Sequence, residues 1–199
     1  MREAAVGRVL VASLHQGIAD VLPSRLVFYE NWLNAEGLRE GTIRLAPLYA
    51  VLSFLRLEGD AYQSITARAG EYAADWTVQS MPAASRALIN ATPPWLRRRL
   101  ILRLAGQLVR SSFGGNRTIA RLRKGTASVE VRASVFCTVR EPVLQPLCGF
   151  YAAAVTRLMT LFRVTARTEV IECRATGKLT CLMKVEMAYG RKGKGEPAA

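Results

Sequence analysis

The sequence has one histidine, four cysteines and no long apolar run, and each of these shortages excludes a class of function. Because His15 is the only imidazole, a hydrolytic triad or histidine-rich metal catalysis would lack the base or the ligands that it needs. No Gly-x-Gly-x-x-Gly motif follows a predicted strand, so no nicotinamide or flavin site of the Rossmann type is indicated. No apolar run approaches the roughly 18–20 residues that a membrane span needs. The residues therefore indicate neither a hydrolase, nor a nucleotide-dependent reductase, nor a membrane-spanning protein.

Acidic residues are also few, and the charge is unevenly distributed. The chain carries 28 Lys and Arg against 15 Asp and Glu, which gives a net charge of +13. Residues 1–60 are close to neutral, whereas eleven basic residues and only two acids lie between Arg97 and Glu141. Such a field attracts nucleic acid, anionic lipid at a membrane surface, or a ligand with carboxylates. A solvated basic face is the alternative. Nucleic acid ranks last, because this stretch has no helix-turn-helix or interleaved aromatic motif.

The cysteines occur in a chain without a recognisable secretory signal. The first 22 residues carry Arg, His and Asp at helical spacing and have no small-x-small cleavage site, so they are interpreted as an amphipathic helix. We therefore expect a reducing, cytoplasmic location. In that compartment, cysteines are more often metal ligands or buried core residues than disulfides.

Helical periodicity predicts five helices in the first 113 residues. They are expected from Val9 to Pro23, from Leu26 to near Gly37, from Pro47 to Gly59, from an N-cap at Asp60 to Pro82, and from Leu96 to a stop at Gly114 and Gly115. The last of these is strongly basic. Residues 1–60 are predicted to belong to the same domain as residues 61–189, and residues 190–199 are predicted to form a disordered basic tail.

Alternating apolar residues then predict strands. "TIARLR" and "TASVEVRASVF" form one expected hairpin, "ARTEVIECR" and "LTCLMKVEM" form a second, and the helical segment "PLCGFYAAAVTRLMTLF" lies between them. This order predicts an α+β fold. N-terminal helices pack on a four-stranded antiparallel sheet, which is made of two hairpins with an intervening helix.

Two cysteines flank the turn of the second hairpin. With a three-residue loop from Thr176 to Lys178, Cys173 and Cys181 become direct cross-strand neighbours, and Gly177 suits the left-handed position of such a loop. Two thiols placed in this way could supply half of a tetrahedral metal site. Two small apolar residues of a buried hairpin would look the same.

A third cysteine completes a pattern that resembles that of a known protein family. The segment from Pro146 to Val185 resembles the vinyl-4-reductase domain family, in which one Cys opens a helix, a second follows about 25 residues later and a third follows eight residues after that. Here these positions are Cys148, Cys173 and Cys181. Roughly residues 65–187 resemble the bacteriochlorophyll-biosynthesis subfamily, with "CGFYAAA" and "AGEYAADW" among the similar segments.

The resemblance implies the fold of TRAPP Bet-three-like subunits and a domain that binds small hydrophobic molecules. In the phenol-sensing members, the three Cys and a Glu hold zinc, but the position of that Glu is Val170 in this chain. Glu169 and Glu172 flank Val170, and either would need a β-bulge to reach the site. Cys137 is the other candidate for a fourth ligand, and three buried core cysteines without metal are the alternative.

Large rings and arginines are the candidate ligand-binding residues. Most rings are expected in the core, while some could line a pocket for a flat apolar ligand, and arginines could pair with ligand carboxylates. The candidates are Trp76, Phe113, Phe150, Tyr151, Arg110, Arg117 and Arg157. His15 is expected to be structural, with axial ligation of a tetrapyrrole metal as the alternative.

These observations predict a non-catalytic binding or carrier protein for a hydrophobic, anionic small molecule. The resemblance implies a chlorophyll-pathway tetrapyrrole, and biosynthetic enzymes of that pathway as partners. A Bet-three-like scaffold, which could form a homodimer, is one alternative. A 4-vinyl reductase supplied by an external electron donor is another, although the chain has no motif for a hydride carrier.

Overall fold

The fold is described from a computed structural model of the chain, in which residues 6–33, 45–114, 117–123 and 125–188 are described. The predicted tail at 190–199 and the predicted end of the second helix near Gly37 lie outside these residues. The division of the chain at residue 60 stays a prediction.

Seven α-helices occur in the described residues. They are α1 (Arg8–Val21), α2 (Leu26–Leu33), α3 (Leu45–Arg56), α4 (Asp60–Gln79), α5 (Ala83–Ala91), α6 (Pro94–Ser112) and α7 (Gly149–Leu161). None of them combines the length and the hydropathy that crossing a bilayer requires.

The helix boundaries differ from the predicted ones in three places. Pro47 does not open α3, which begins at Leu45, since proline is tolerated anywhere in the first turn. Asp60 is the first residue of α4, and the N-cap is Gly59 at a φ of 60°. Finally, the residues after Pro82 form α5, a short helix that the sequence reading missed because only Ile89 of it is buried.

The central helices α1, α4 and α7 are in close contact through glycines. A Cβ atom on Gly17 of α1 would lie 2.8 Å from the carbonyl oxygen of Ile65 in α4. A Cβ atom on Gly70 of α4 would overlap the carbonyl oxygen of Phe150 in α7 and lie 3.0 Å from the backbone nitrogen of Ala154. These glycines let the backbones approach one another, so the three helices form one packed layer.

The strands form a single antiparallel sheet with the order β1-β2-β4-β3. Its strands are β1 (Arg117–Arg123), β2 (Thr126–Arg132), β3 (Ala166–Glu172) and β4 (Cys181–Met187). The two hairpins are joined in the middle through β2 and β4, with Val129 opposite Met183. This arrangement confirms the predicted α+β fold.

The sheet has one covered face and one polar face. Val129 and Val131 of β2, with Met183 and Val185 of β4, are buried toward the helices, where α7 packs on β3 and α6 packs on β1. The opposite face carries ion pairs such as that of Lys184 with Glu186. The alternation is that of a sheet with one face in water.

The first hairpin is shorter than predicted. The prediction extended its second strand to Phe136, but β2 ends at Arg132 because Ala133 adopts a φ of 58° and turns the chain. Val135–Cys137 then form a 3₁₀ turn whose residues are all buried. The turn places Cys137 in the interior rather than along the strand.

The second hairpin differs from the predicted three-residue loop. The register between β3 and β4 ends at Glu172 opposite Leu182, with a bulge between Val170 and Glu172. Arg174–Thr176 form a 3₁₀ turn, so the predicted pairing of residues 174 and 175 with 180 and 179 does not form. Gly177 has a φ of 85°, in the left-handed conformation that was predicted for it.

Candidate metal centre and ligand groove

Four buried cysteines meet at one point in the core. The Sγ atom of Cys137 lies 3.4 Å from the Sγ atoms of both Cys173 and Cys181, and the Sγ atoms of Cys148 and Cys173 are 3.5 Å apart. All four sulfur atoms lie within 4.8 Å of one another, and all four residues are free thiols. We call this group the cysteine cluster.

Each cysteine comes from a different local structure. Cys137 ends the 3₁₀ turn after β2, Cys148 precedes the first turn of α7, Cys173 follows β3, and Cys181 opens β4. The sheet therefore supplies two of the sulfur atoms from neighbouring strands. The chain between β2 and α7 supplies the other two.

Hydrogen bonds hold that chain against the helices. The guanidinium of Arg56 donates to the carbonyl oxygen of Phe136 at 3.0 Å, and the hydroxyl of Tyr62 donates to the carbonyl oxygen of Leu147 at 3.0 Å. Each acceptor directly precedes a cysteine of the cluster. Sequence reasoning missed Arg56 and Tyr62, because their partners are about 80 residues away and no local pattern marks them.

The spacing of the sulfur atoms fits one tetrahedral metal ion. Zinc binds thiolates at about 2.3 Å, so two sulfur atoms of a regular tetrahedron are about 3.8 Å apart. The observed separations of 3.4 to 4.8 Å bracket that value. A set of four sulfur ligands is typical of zinc or of iron, and the compactness of this one fits a single ion better than a multinuclear cluster. The four cysteines are thus close enough to hold a metal such as zinc.

The electrostatics of the cluster also favour a cation. Hydrogen bonds from Cys137, Cys148 and Cys181 lower the pKa of Cys173, and the backbone N–H of Leu147 donates to the same sulfur at 3.4 Å. The hydrogen bonds of Cys148 to Cys137, Cys173 and Cys181, together with burial, raise the pKa of Cys148. The thiols thus share protons unevenly. Only a bound cation would let all four ionise in this buried site.

The carboxylates that were considered as fourth ligand lie elsewhere. Glu169 forms an ion pair with Arg167 at 2.9 Å, and its side chain is half exposed. The bulge that a carboxylate would need does occur beside Glu172, but Glu172 is not among the residues of the cluster. Cys137 lies in the cluster instead.

The predicted aromatic residues divide into three places. Phe150 and Tyr151 are fully buried beside the cluster, where the ring of Phe136 stacks on Phe150 with centroids 5.0 Å apart. Trp76 stacks on Tyr72 on the outer part of α4. Phe113 is buried at the end of α6. These rings therefore do not line a common pocket.

The predicted arginines are also separated. Arg110 donates to the hydroxyl of Thr118 at 3.2 Å, on the side of α6 next to β1. Arg117 is exposed at the start of β1. Arg157 of α7 forms an ion pair with Asp75 of α4 at 2.9 Å. His15 contacts Glu30 through its Nε2 atom at 2.7 Å on the surface of α1, which is the structural role expected for it.

A groove of about 460 Å³ runs between α4, α7 and β3. Ala67, Ala152 and Ala153 line it, and its charged lining residues are Arg157, Arg167 and Glu71. The groove begins at Gly149, the residue after Cys148 of the cluster. We call it the α4–α7 groove.

One wall of the α4–α7 groove holds an unsatisfied hydroxyl. The Oγ1 atom of Thr168 is buried and has no hydrogen-bond partner among the described residues. A buried polar atom of this kind costs free energy unless it finds a partner. No sequence signal marked Thr168, because its role depends on how α7 packs on β3.

No family model matches the sequence, and no curated protein matches it either. Several solved structures, in contrast, have a similar fold. The phenol-responsive sensory domain of the transcription activator PoxR, in complex with phenol, is 15% identical with a TM-score of 0.53, over 73% of this chain and 75% of that one. An H-NOX protein from S. oneidensis, in the Fe(II)NO ligation state, is 10% identical with a TM-score of 0.57, over 92% of this chain and all of that one.

A third similar structure comes from a trafficking complex. Subunit 3 of the trafficking protein particle complex from Naegleria fowleri, covalently bound to palmitic acid, is 9% identical with a TM-score of 0.51. The match covers 73% of this chain and 93% of that one. At these identities, the similarities establish a shared fold. The chain therefore has the α+β fold of these sensory domains and of the trafficking subunit.

Proposed function

We propose that this chain is a non-catalytic domain that binds a small hydrophobic ligand, and that its cysteine cluster is a structural zinc site. The observation that carries the proposal is the cluster itself, four buried thiols at the spacing of one tetrahedral ion. Cys137, Cys148, Cys173 and Cys181 would hold the zinc. A metal bound in this way would offset half of the charge of the four thiolates and link β3, β4 and the start of α7.

The named ligands of the similar structures support a binding role. Phenol, the iron–nitric oxide centre of an H-NOX protein and palmitic acid all belong to proteins with this fold. A fold does not fix a function, so the ligand of this chain is argued from its own residues. The resemblance of residues 65–187 to the vinyl-4-reductase domain family supports the same role and adds the zinc.

The α4–α7 groove is proposed as the ligand site. Its volume of about 460 Å³ lies within the range of small-molecule sites, and its alanine lining suits an apolar surface. Arg157, which pairs with Asp75, could instead pair with a ligand carboxylate, and Thr168 could donate its unsatisfied hydroxyl. These groups fit a flat, apolar, anionic ligand. A tetrapyrrole intermediate with propionate groups is the proposed example, which the chain would carry or present during bacteriochlorophyll synthesis.

The cluster and the groove would act together. Cys148 immediately precedes Gly149, where the groove and α7 both begin. Zinc on Cys148 would fix the start of α7 against the sheet, and hence the width of the groove between α7 and β3. The loaded domain should therefore bind ligand more tightly than the metal-free domain.

A fluorescence titration tests the ligand. Trp76 is next to Asp75, the partner of Arg157, so its emission should report on ligand in the α4–α7 groove. A magnesium tetrapyrrole with free propionates is expected to quench this emission saturably at micromolar concentration or below. We expect Arg157→Gln to weaken the binding by about tenfold, because a charge-assisted hydrogen bond contributes about 1.5–3 kcal/mol.

Controls separate the site from general attraction. Arg140→Gln removes the same charge from an exposed residue outside the groove, and should leave the affinity unchanged. Trp76→Phe should reduce the quenching signal, to which Trp32 and Trp95 also contribute, but not the binding measured by calorimetry. Phenol and palmitate serve as comparison ligands. If either saturates the site while the tetrapyrrole does not, the tetrapyrrole proposal is wrong; if none binds, the binding function is wrong.

A further inference from the structure

A second groove, of about 620 Å³, runs between α6 and β1 and is strongly basic. Its floor is formed by Leu102 and Gly106 of α6. Arg99, Arg103 and Arg110 of α6 form its rim. None of the residues that line it is acidic, and among the described residues these three arginines form no ion pair. We call it the α6–β1 groove.

The floor of the α6–β1 groove leads to the edge of the sheet. Strand β1 is at the end of the order β1-β2-β4-β3, so in the described residues it has a partner strand on one side only. Every second residue of an edge strand points its N–H and C=O groups outward. Thr118, Ala120 and Leu122 of β1 line the groove, so a further strand added at this edge would lie along it.

The spacing of the polar side chains along α6 matches the repeat of an extended chain. Arg99, Arg103 and Gln107 follow one another at four-residue steps, which is about 6 Å along a helix axis. Alternate residues of a strand are about 6.7 Å apart and lie on the same face. Every second side chain of an added strand would therefore lie opposite one of these positions of α6. Arg110, three residues after Gln107, lies almost one turn further along the same row.

We infer that the α6–β1 groove binds an extended acidic segment of a partner protein, which adds as a fifth strand to β1 and places alternate Asp or Glu side chains against Arg99, Arg103 and Arg110. The backbone of the segment pairs with β1, and its carboxylates supply the specificity. This surface is separate from the cysteine cluster and the α4–α7 groove, so the inference does not depend on the ligand.

A second copy of this chain fits the edge poorly. An antiparallel pairing of two β1 strands centred on Ala120 would place Arg117 opposite Arg123 of the other copy. Like charges directly opposite each other destabilise a pair of strands. Nucleic acid would match the charge but would leave the outward N–H and C=O groups of β1 unpaired. An acidic strand satisfies both requirements.

Fluorescence anisotropy with a labelled peptide tests the inference. The probe is a seven-residue peptide in which Glu and Thr alternate, titrated with the full chain at about 0.1 M salt. We expect saturable binding. The double variant Arg99→Gln/Arg103→Gln should weaken it by about tenfold, since two charge-assisted contacts at an exposed site are lost. The double variant Arg140→Gln/Lys178→Gln removes the same charge elsewhere and should bind as the parent chain does.

Two N-methylated peptides distinguish strand addition from charge attraction. One carries methyl groups on the amides of its Glu residues, the other on those of its Thr residues, and both keep every charge. Only one of these sets can point toward β1, so one peptide should lose binding and the other should retain it. If both bind equally, or if no peptide binds, the inference is overturned. It is also overturned if a single-stranded RNA depends on Arg99 and Arg103 while the peptide does not.

Discussion

Replacing Cys173 with serine is expected to remove zinc from the chain and to lower its free energy of unfolding by about 3–5 kcal/mol. The sulfur of Cys173 is the most connected of the four, with contacts to Cys137, Cys148 and the backbone N–H of Leu147. Loss of one ligand leaves the remaining buried thiolates without a fully coordinated cation, and uncompensated buried charge is among the largest single effects on stability. Metal analysis and denaturant unfolding of the same sample measure both quantities.

The matched control is Ser134→Ala. Ser134 is buried three residues before Cys137, and its Oγ atom has no hydrogen-bond partner among the described residues. Removing this atom should leave the zinc in place and the stability equal or slightly higher. If Cys173→Ser and Ser134→Ala unfolded at the same denaturant concentration, the cluster would be an ordinary part of the core.

Replacing Gly70 with alanine should be among the most damaging changes outside the cluster. The added Cβ atom would overlap the carbonyl oxygen of Phe150, and backbone atoms cannot rotate away as a side chain can. Helices α4 and α7 would have to separate, which disturbs the most extensive helix contact among the described residues and the wall of the α4–α7 groove. We expect a loss of about 3 kcal/mol, which for a chain of this size corresponds to a melting temperature about 6–12 °C lower.

Gly106→Ala is the control for this prediction, because Gly106 is also helical. Its added Cβ atom would meet the Thr118 hydroxyl at 3.2 Å and the Arg110 guanidinium at 3.3 Å, both of which can move. The higher helix propensity of alanine then offsets the crowding, so the stability should change by less than about 1 kcal/mol. Equal melting temperatures for the two variants would show that α4 and α7 are not closely packed at Gly70.

Local periodicity predicted the class and order of the main elements. The buried helices α1, α4 and α6 and strand β2 each have a clear apolar pattern, and β1 was predicted as the hairpin partner of β2. The order of the elements then predicts helices on an antiparallel sheet. The short helix α5 was missed, because a helix that buries only Ile89 has almost no apolar stripe to detect.

The cysteine cluster could be predicted only in part. The spacing of Cys148, Cys173 and Cys181 pointed to a site, and Cys137 remained one of three candidates for the fourth position, beside Glu169 and Glu172. The prediction ran β2 on to Phe136, whereas the positive φ of Ala133 turns the chain inward and brings Cys137 to the cluster. A left-handed alanine is a tertiary feature that sequence propensity does not indicate.

The ligand residues were the least predictable. Arg110, Arg117 and Arg157 have similar sequence surroundings, yet the fold distributes them over a basic groove, a strand end and an apolar groove. The aromatic candidates were equally hard to assign. Phe150 and Tyr151 were considered for a ligand pocket, but they pack against Phe136 in the core. Which basic or aromatic side chains face a groove depends on how α7 and α6 pack on the sheet.

Cys137, Cys148, Cys173 and Cys181 are proposed to hold one structural zinc. Metal analysis of the chain purified without a histidine tag, followed by X-ray absorption at the zinc edge, tests it most directly. We expect one zinc per chain, with four sulfur neighbours at about 2.3 Å. A chain that contains no zinc, or a zinc with nitrogen or oxygen neighbours, would contradict it.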